Sequence, residues 1–304
     1  AERFDELRTM LEQKLRVTID PREQVRLNER LGRVLFEYLK KPDEAIGHFK
    51  SALERDARHR PSLEALRDIH EHLGKREELV IVLRRLVPLQ EDATGVKAIR
   101  LRLAEVLAGM NRREEALDAA RRSLEVEPHS VPDLERVHQV FMQLKAWGDA
   151  VRALELKSQV YLGLEDREEA AKALYQVADL LRGPANKPDS VGAILEKVLE
   201  IDPANREAYE QAIKQYEKVN DWRSYAACMD RFLHNLVTDE EKVIALRELA
   251  RVQEEKLGQK DVAFTRLCRA LELQPSDMDT RQHVERLAAE TGSWDELASV
   301  YEQI

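Results

Sequence analysis

Apolar residues recur at intervals of three and four along the chain, as at Ala45, Phe49, Ala52 and Leu53. This spacing places the apolar side chains on one side of an α-helix and leaves the other side to charged residues. Prolines interrupt the pattern, and no segment alternates as a half-buried β-strand does. Acidic residues just before helical runs are expected to cap the helix starts, at Asp20, Asp166, Asp189 and Asp239. The pattern predicts about seventeen α-helices of roughly 11–18 residues, joined by short turns, and no strand.

The helical pattern itself repeats with a period of about 72 residues. Leu53, Leu124, Leu199 and Leu271 stand at the same point of four similar segments, and the intervals between them are 71, 75 and 72 residues. Aromatic residues and prolines also keep fixed places in the period: Phe4, Trp147, Trp222 and Trp294 at the start of a helix, and Pro128, Pro203 and Pro275 just after the end of one. Each period therefore contains two helix pairs of about 36 residues.

A helix pair of this length cannot bury its own apolar stripe. Neighbouring pairs must stack, so that a shared core forms between them. We therefore predict an all-α solenoid with a concave and a convex face, made of about eight antiparallel helix pairs and one extra N-terminal helix. The predicted structure is continuous over residues 1–304 and consists of four double repeats, 7–78, 79–149, 150–224 and 225–296, with a terminal helix at 297–304.

The residues within each pair resemble the tetratricopeptide repeat (TPR). In that family the first helix, helix A, has a small residue beside large apolar ones, as at Leu31, Gly32 and Leu35. The second helix, helix B, has small and large apolar residues and then proline; matching positions are Ala45 and Ala52, Ala116 and Pro128, Pro203, and Ala263, Ala270 and Pro275. In the intervening pairs, Arg67, His138, Ile213 or Glu285 replaces the small residue of helix A. The resemblance implies a right-handed α-α superhelix, and it suits a segment of a long bacterial TPR array whose alternate repeats are degenerate.

Both ends of the sequence fall at the same phase of the repeat. Each lies in a helix B and carries core-type residues, such as Leu7 and Val300. Natural arrays close with polar capping helices. We therefore hypothesise that the sequence is a segment of a longer array, and that its ends can stack end to end between molecules.

Composition and charge argue against several classes of protein. The chain has 49 Lys and Arg against 58 Asp and Glu, a net charge of −9, whereas nucleic-acid-binding proteins usually have a basic excess. Cys228 and Cys268 are too few for a disulfide framework and fit a reducing compartment, so we expect a cytoplasmic protein. No apolar run approaches the roughly 20 residues that cross a bilayer, so we expect no membrane insertion.

The sequence has none of the motifs searched for as catalytic or metal-binding patterns. It contains neither a glycine-rich phosphate loop nor a nucleophile elbow. His70 and His72 are two residues apart, so they point about 200° apart around a helix and cannot bind one ion. We interpret both as solvated histidines and expect no enzyme activity, no metal and no cofactor.

The resemblance assigns partner binding to the concave face, which helix A lines. In the first, fifth and seventh pairs this selects Arg26, Glu29, Arg33 and Phe36; Lys172, Tyr175, Asp179 and Arg182; and Arg247, Arg251 and Glu254. Arginine and aromatic side chains are suitable anchors for a peptide or a partner helix. We predict a non-enzymatic scaffold or adaptor that binds a peptide, a helix or a small protein. The alternatives are RNA binding by a helical-repeat protein and an architectural spacer within a giant repeat protein.

Overall fold

The structure is a computed structural model that describes residues 2–304. Over these residues it has seventeen α-helices and no β-strand, which confirms the all-α prediction. Internal contacts divide the chain into two compact units, Ala1–Val160 and Tyr161–Ile304.

The first unit contains eight complete helices and most of a ninth. In chain order these are α1 Glu2–Val17, α2 Pro21–Arg33, α3 Pro42–Arg55, α4 Arg60–His72, α5 Arg76–Leu86, α6 Ala93–Gly109, α7 Arg113–Leu124, α8 Val131–Gln143 and α9 Trp147–Gly163. A π-helical segment, Val34–Tyr38, continues α2, and a short 3-10 helix, Val87–Leu89, continues α5.

The second unit contains the remaining helices. They are α10 Arg167–Arg182, α11 Val191–Ile201, α12 Arg206–Lys218, α13 Trp222–Leu233, α14 Asp239–Glu255, α15 Lys260–Leu273, α16 Met278–Thr291 and α17 Trp294–Gln303. A 3-10 turn, Pro188–Ser190, precedes α11.

Consecutive helices pack as hairpins in both units. The pairs are α2 with α3, α4 with α5, α6 with α7, α10 with α11, α12 with α13, α14 with α15 and α16 with α17. Successive hairpins also pack on one another, as α3 does on α4 and α15 on α16. This arrangement confirms the predicted stacking of helix pairs; the boundaries of the four double repeats remain a prediction. We refer to the even-numbered helices as A helices and to the odd-numbered ones as B helices.

The small residue of helix A has a clear packing role in the first hairpin. A Cβ atom on Gly32 would lie 2.6 Å from the Phe49 ring, so no larger residue fits without displacing that ring. Leu31, Leu35 and Phe49 are fully buried around this contact. The small residues of the B helices are also fully buried, at Ala45, Ala52, Ala116, Ala263 and Ala270. Close contact between helices A and B thus follows from the size of these side chains.

Side-chain caps mark several helix starts. Asp20 and Asp166 accept hydrogen bonds from backbone N–H groups of α2 and α10, as their positions in the sequence predicted. Two other predicted starts differ in detail. Asp189 lies within the 3-10 turn, and Thr238, rather than Asp239, caps α14.

An aromatic residue in the first turn of a helix B reaches the end of the next helix A. Phe4 stacks on Tyr38 with ring centroids 4.0 Å apart, and the Lys256 Nζ lies 5.3 Å from the centre of the Trp222 ring. These contacts join neighbouring hairpins, which is the structural role that the shared phase of the aromatic residues suggests. Trp294, at the same phase in α17, is half exposed.

Candidate partner-binding surface

The predicted residues on α2 make mostly local contacts. Arg33 forms an ion pair with Glu29 one turn earlier on the same helix face. Phe36 lies edge-on to the ring of His72, with centroids 6.2 Å apart. The Arg26 side chain is largely exposed, and its nearest acidic atom belongs to Glu23, 3.9 Å away. The α2 residues therefore do not converge on one point.

The predicted residues on α10 mainly connect that helix to α12. The Tyr175 hydroxyl donates to Asn205 Oδ1 at 3.1 Å, and Arg182 donates to Gln211 Oε1 at 2.8 Å. Arg182 also contacts Asp179 at 3.3 Å. Lys172 is held by two glutamates of its own helix, at 2.7 Å each. These side chains support helix packing and are not gathered around a cavity.

The predicted residues on α14 do converge. Arg247, Arg251 and Glu254 line a cleft of about 500 Å³ on the A-helix face, together with His283 and Arg286 of α16. Its remaining lining residues are Ile244, Glu248 and Glu255. We call this the α14/α16 cleft. It is the place where the structure brings sequence-predicted residues together around an open space.

Ion pairs between α14 and α16 hold one wall of the cleft in place. Glu254 accepts from Arg286 at 2.8 Å and from His283 Nε2 at 2.8 Å. The Arg286 hydrogen bond, assisted by His283, lowers the pKa of the Glu254 carboxyl to about 2. Glu254 in turn raises the pKa of Arg286. Both groups therefore stay charged at neutral pH and hold one another in place.

Arg247 also has a structural partner in α16. Its Nη1 atom lies 3.0 Å from Oδ2 of Asp277, the residue whose side chain caps the start of that helix. A replacement of Arg247 would leave a carboxylate that is only 13% exposed without its ion-pair partner. Arg247 is thus tied to the fold as well as to the cleft.

Two cleft residues are not tied to α16 in this way. The Arg251 guanidinium pairs with Glu248 at 2.5 Å and Glu255 at 3.8 Å, both on its own helix. Ile244 is 68% exposed, although it is a large apolar residue. An exposed isoleucine beside an adaptable arginine is the part of the cleft best placed to contact another molecule.

Sequence reasoning missed Ile244, His283 and Arg286. The signal that could have found Arg286 is a charge pattern: Glu254 precedes it by 32 residues, and Arg247 precedes Asp277 by 30. Opposite charges about one hairpin apart can meet across adjacent A helices. Ile244 follows no such rule, because its apolar character alone would place it in the core.

His70 contradicts the interpretation of both close histidines as solvated. Its side chain is only 3% exposed, and its Nδ1 atom has no hydrogen-bond partner in the part of the chain that the structure describes. The reason is its place on α4, three residues after Arg67. The equivalent positions in the neighbouring A helices hold Leu35 and Leu107, which are also buried.

Within residues 2–304, no three His, Cys, Asp or Glu side chains are grouped so that they could hold a metal ion. No helix in that range combines the length and the apolar composition of a membrane span. Cys228 and Cys268 are buried free thiols, and burial raises their pKa values to about 12 and about 11. Both thiols are therefore protonated at neutral pH, which is unlike a reactive cysteine.

No protein-family model and no curated protein matches the sequence. Among solved structures, the chain is similar to a tetratricopeptide repeat protein from Parabacteroides merdae, with 13% identity and a TM-score of 0.39, over 87% of this chain and 99% of that one. It is similar to the P58(IPK) TPR domain with 12% identity and a TM-score of 0.32, over 91% of each chain. A chain in the structure of Naa15/Naa10 bound to HypK-THB gives 14% identity and a TM-score of 0.40, over 99% of this chain and 56% of that one.

The hairpins establish the type of fold independently of these similarities. Consecutive helices pair, successive pairs stack, and small residues allow close contact between helices A and B. The chain is therefore a TPR-like helical-repeat protein. Such a fold is compatible with many functions, so the function must be argued from the surface.

Proposed function

We propose that this chain is a non-enzymatic scaffold that binds a segment of a partner protein on its A-helix face, in the α14/α16 cleft. The observation that carries the proposal is the position of Ile244, which is 68% exposed at a cleft otherwise lined by charged side chains. An apolar anchor surrounded by polar groups is typical of the energetic centre of a protein interface.

The fixed ion pairs on α16 support the same proposal. Glu254, His283 and Arg286 already hold one another, so these three side chains would lose little additional conformational entropy when a peptide binds. Arg251 can exchange its same-helix carboxylates for a carboxylate or carbonyl of the partner. The proposed occupant is therefore a peptide or helix with one apolar side chain next to an acidic or carbonyl-rich stretch.

The test is selection of short random peptides, displayed on phage, against the whole chain. The affinity of the selected peptides is then measured by fluorescence anisotropy for the wild type and for Ile244→Glu/Arg251→Glu. These two residues avoid the ion pairs between α14 and α16, so circular dichroism should be unchanged. We expect peptide binding to weaken at least about tenfold in the double variant.

The matched control is Val262→Glu/Arg269→Glu, which likewise replaces one aliphatic residue and one arginine with glutamate, at exposed positions of α15, the partner helix in the same hairpin. It should bind the selected peptides as the wild type does. Equal affinity for all three proteins would disprove the assignment to the cleft. Recovery of no binding peptide would contradict the scaffold function and favour an architectural spacer.

The alternative function, RNA binding, can be distinguished from peptide binding by how its affinity depends on salt concentration. In a titration with single-stranded RNA, a phosphate-binding surface would show affinity that falls steeply as the salt concentration rises. With a net charge of −9, we expect no saturable RNA binding by the chain. Tight, salt-sensitive binding of RNA with no peptide recovered would replace the proposed function.

A further inference from the structure

Inter-hairpin ion pairs link neighbouring B helices at equivalent positions in the first unit. Arg84 of α5 pairs with Glu115 of α7, and Arg121 of α7 pairs with Asp149 of α9. In the preceding hairpins the equivalent residues are Lys50 of α3 and Glu78 of α5. The separation of Lys50 and Glu78 along the chain, 28 residues, equals that of Arg121 and Asp149.

Lys50 and Glu78 nevertheless make no ion pair in the described range of the chain. Contacts do occur at the two ends of the space between α3 and α5. Lys75 pairs with Asp43 at 3.0 Å, and Arg85 donates to the Ala57 carbonyl at 2.8 Å. Between these ends lie Lys50 and Glu78, at the positions that form an ion pair in the next two hairpin interfaces. Here the two charges remain unpaired. Lysine lacks the planar fork with which arginine reaches a carboxylate.

The space between these unpaired charges is an apolar groove of about 360 Å³, which we call the α3/α5 groove. Leu53, Leu66 and Val82 form its floor, and each of them is buried. Ile81 stands at its edge and is 59% exposed. In α7 the residue equivalent to Ile81 is Asp118, which pairs with Arg122. Both the missing ion pair and the exposed isoleucine therefore distinguish this groove from the one between α5 and α7.

His70 also lines the α3/α5 groove. Its side chain is buried, and its Nδ1 atom has no hydrogen-bond partner in the described part of the chain. Burial lowers the pKa of the imidazole, so the ring is neutral at neutral pH. A neutral imidazole offers one donor and one acceptor nitrogen, and an unpaired buried nitrogen is costly unless something binds it.

We propose that the α3/α5 groove binds an amphipathic helix of a partner protein through one tryptophan or tyrosine side chain. The aromatic ring would cover Ile81, Leu66 and Val82. A rotation of the His70 ring toward the groove would let its unpartnered Nδ1 meet the N–H or O–H group of the bound side chain. An acidic residue of the partner helix would pair with Lys50, and a basic one with Glu78. This site lies on the B-helix face and does not depend on the α14/α16 cleft.

Charge complementarity is the reason for choosing a helix with both signs of charge. Lys50, Glu54 and Glu78 are exposed on the rim of the groove and make no ion pair in the region that the structure describes. Lys50 and Glu54 are one turn apart on α3, and Glu78 and Ile81 are about one turn apart on α5. A partner helix lying between α3 and α5 can present its own charges at the same one-turn spacing. It can therefore pair with charged residues on both rims of the groove at once.

The test uses a defined probe: a fluorescein-labelled, alanine-based helical peptide of about 15 residues with one tryptophan, an aspartate one turn before it and a lysine one turn after it. A matched peptide has alanine in place of the tryptophan. Titration into the whole chain, followed by anisotropy, should give saturable binding with a Kd on the order of 10–100 μM. The alanine peptide should bind at least about tenfold more weakly.

Ile81→Asp is the decisive variant, because it installs the residue that α7 has at the same position. The new aspartate can pair with Arg85, as Asp118 pairs with Arg122, so the fold should be retained. We expect at least about a tenfold loss of affinity for the tryptophan peptide. The control is Val262→Glu, which replaces an exposed apolar residue of α15 and should leave the affinity for the tryptophan peptide unchanged.

A charge reversal tests the orientation of the proposed partner. Lys50→Glu should weaken binding of the original peptide. A peptide with lysine in place of its aspartate should bind this variant with an affinity within about threefold of that between the original peptide and the wild type. A general disturbance of the fold would not produce this rescue. The proposal is overturned by lack of saturable binding of the tryptophan peptide, by equal binding of the alanine peptide, or by unchanged affinity of Ile81→Asp. Self-association of the free chain that disappears in Ile81→Asp would identify a second copy as the occupant and would also overturn it.

Discussion

The α3/α5 groove and the groove between α5 and α7 have the same construction but different side chains. Each lies between two B helices with an A helix as its floor, and each has an ion pair at one end, Lys75 with Asp43 and Arg112 with Glu77. The space between α5 and α7 has a volume of about 490 Å³, compared with about 360 Å³ for the α3/α5 groove. The two grooves differ in the side chains that line them.

Three equivalent positions account for that difference. The charges at the centre are paired in Arg84–Glu115 and unpaired in Lys50 and Glu78. The edge carries Asp118 in one groove and Ile81 in the other, and the floor carries Leu107 or His70. A repeat thus keeps its packing while a few side chains change what the surface can bind. Exchanging these residues between the two grooves should change the free energy of unfolding of the chain by amounts that can be ranked in advance.

The largest expected effect comes from placing histidine at the floor of the α5/α7 groove. Leu107 is 1% exposed, so Leu107→His buries an imidazole and removes apolar contacts. We expect a loss of roughly 2–4 kcal/mol in the free energy of unfolding, measured by urea denaturation. A loss below about 1 kcal/mol would mean that the floor of this groove accepts a polar ring without cost, and the comparison would fail.

The reverse change, His70→Leu, should stabilise the chain, and by more in mild acid. Burial lowers the pKa of His70 in the folded state, whereas the unfolded state keeps a value near 6.5. The unfolded chain therefore takes up the proton first, and the wild type loses stability as the pH falls below about 6.5. Lys50 and Lys75 lower the pKa further, and Glu78 opposes them.

We expect His70→Leu to raise the free energy of unfolding by about 1 kcal/mol at pH 7 and by a larger amount at pH 5. Denaturant unfolding of both proteins at the two pH values provides the measurement. His48, His129 and His138, whose pKa values burial also lowers, are present in both proteins and cancel in the difference. The same gain at both pH values would show that His70 titrates alike in the folded and unfolded chain.

The helices and their pairing could be predicted from the sequence because both depend on periodic patterns. Apolar spacing defines the buried face of each helix, and the size of Gly32 determines how closely Phe49 approaches. Even the burial of His70 follows from alignment with Leu35 and Leu107. The prediction that it is solvated was wrong because residue type was given more weight than position in the repeat.

The partner-binding surface was much less predictable. Arg251 and Arg247 have the same residue type and neighbouring positions on α14, yet only Arg247 reaches α16. A charged side chain is long and flexible, and its partner depends on what the next hairpin presents within a few ångströms. The exposure of Ile244 and Ile81 likewise depends on the neighbouring helices, which a periodic pattern does not resolve.

The smallest expected effect on stability concerns the unpaired charges themselves. Lys50→Arg introduces the guanidinium group that Arg84 and Arg121 use in the equivalent pairs, in which Arg121 donates through two nitrogens to Asp149. Since both groups are exposed, a new pair with Glu78 should add only about 0.2–0.5 kcal/mol to the free energy of unfolding. A double-mutant cycle with Glu78→Gln measures the coupling between residues 50 and 78 in each background.

We expect no measurable coupling with lysine at position 50 and a coupling of about 0.2–0.5 kcal/mol with arginine. The Arg84–Glu115 pair provides the reference, since its own cycle should give a value in the same range. The pair formed by arginine would also compete with a bound peptide for Glu78, so the tryptophan peptide should bind more weakly to Lys50→Arg although the charge is unchanged. If Lys50 and Glu78 already couple as strongly as Arg84 and Glu115, the two grooves are electrostatically alike, and unpaired charge cannot be what distinguishes the α3/α5 groove.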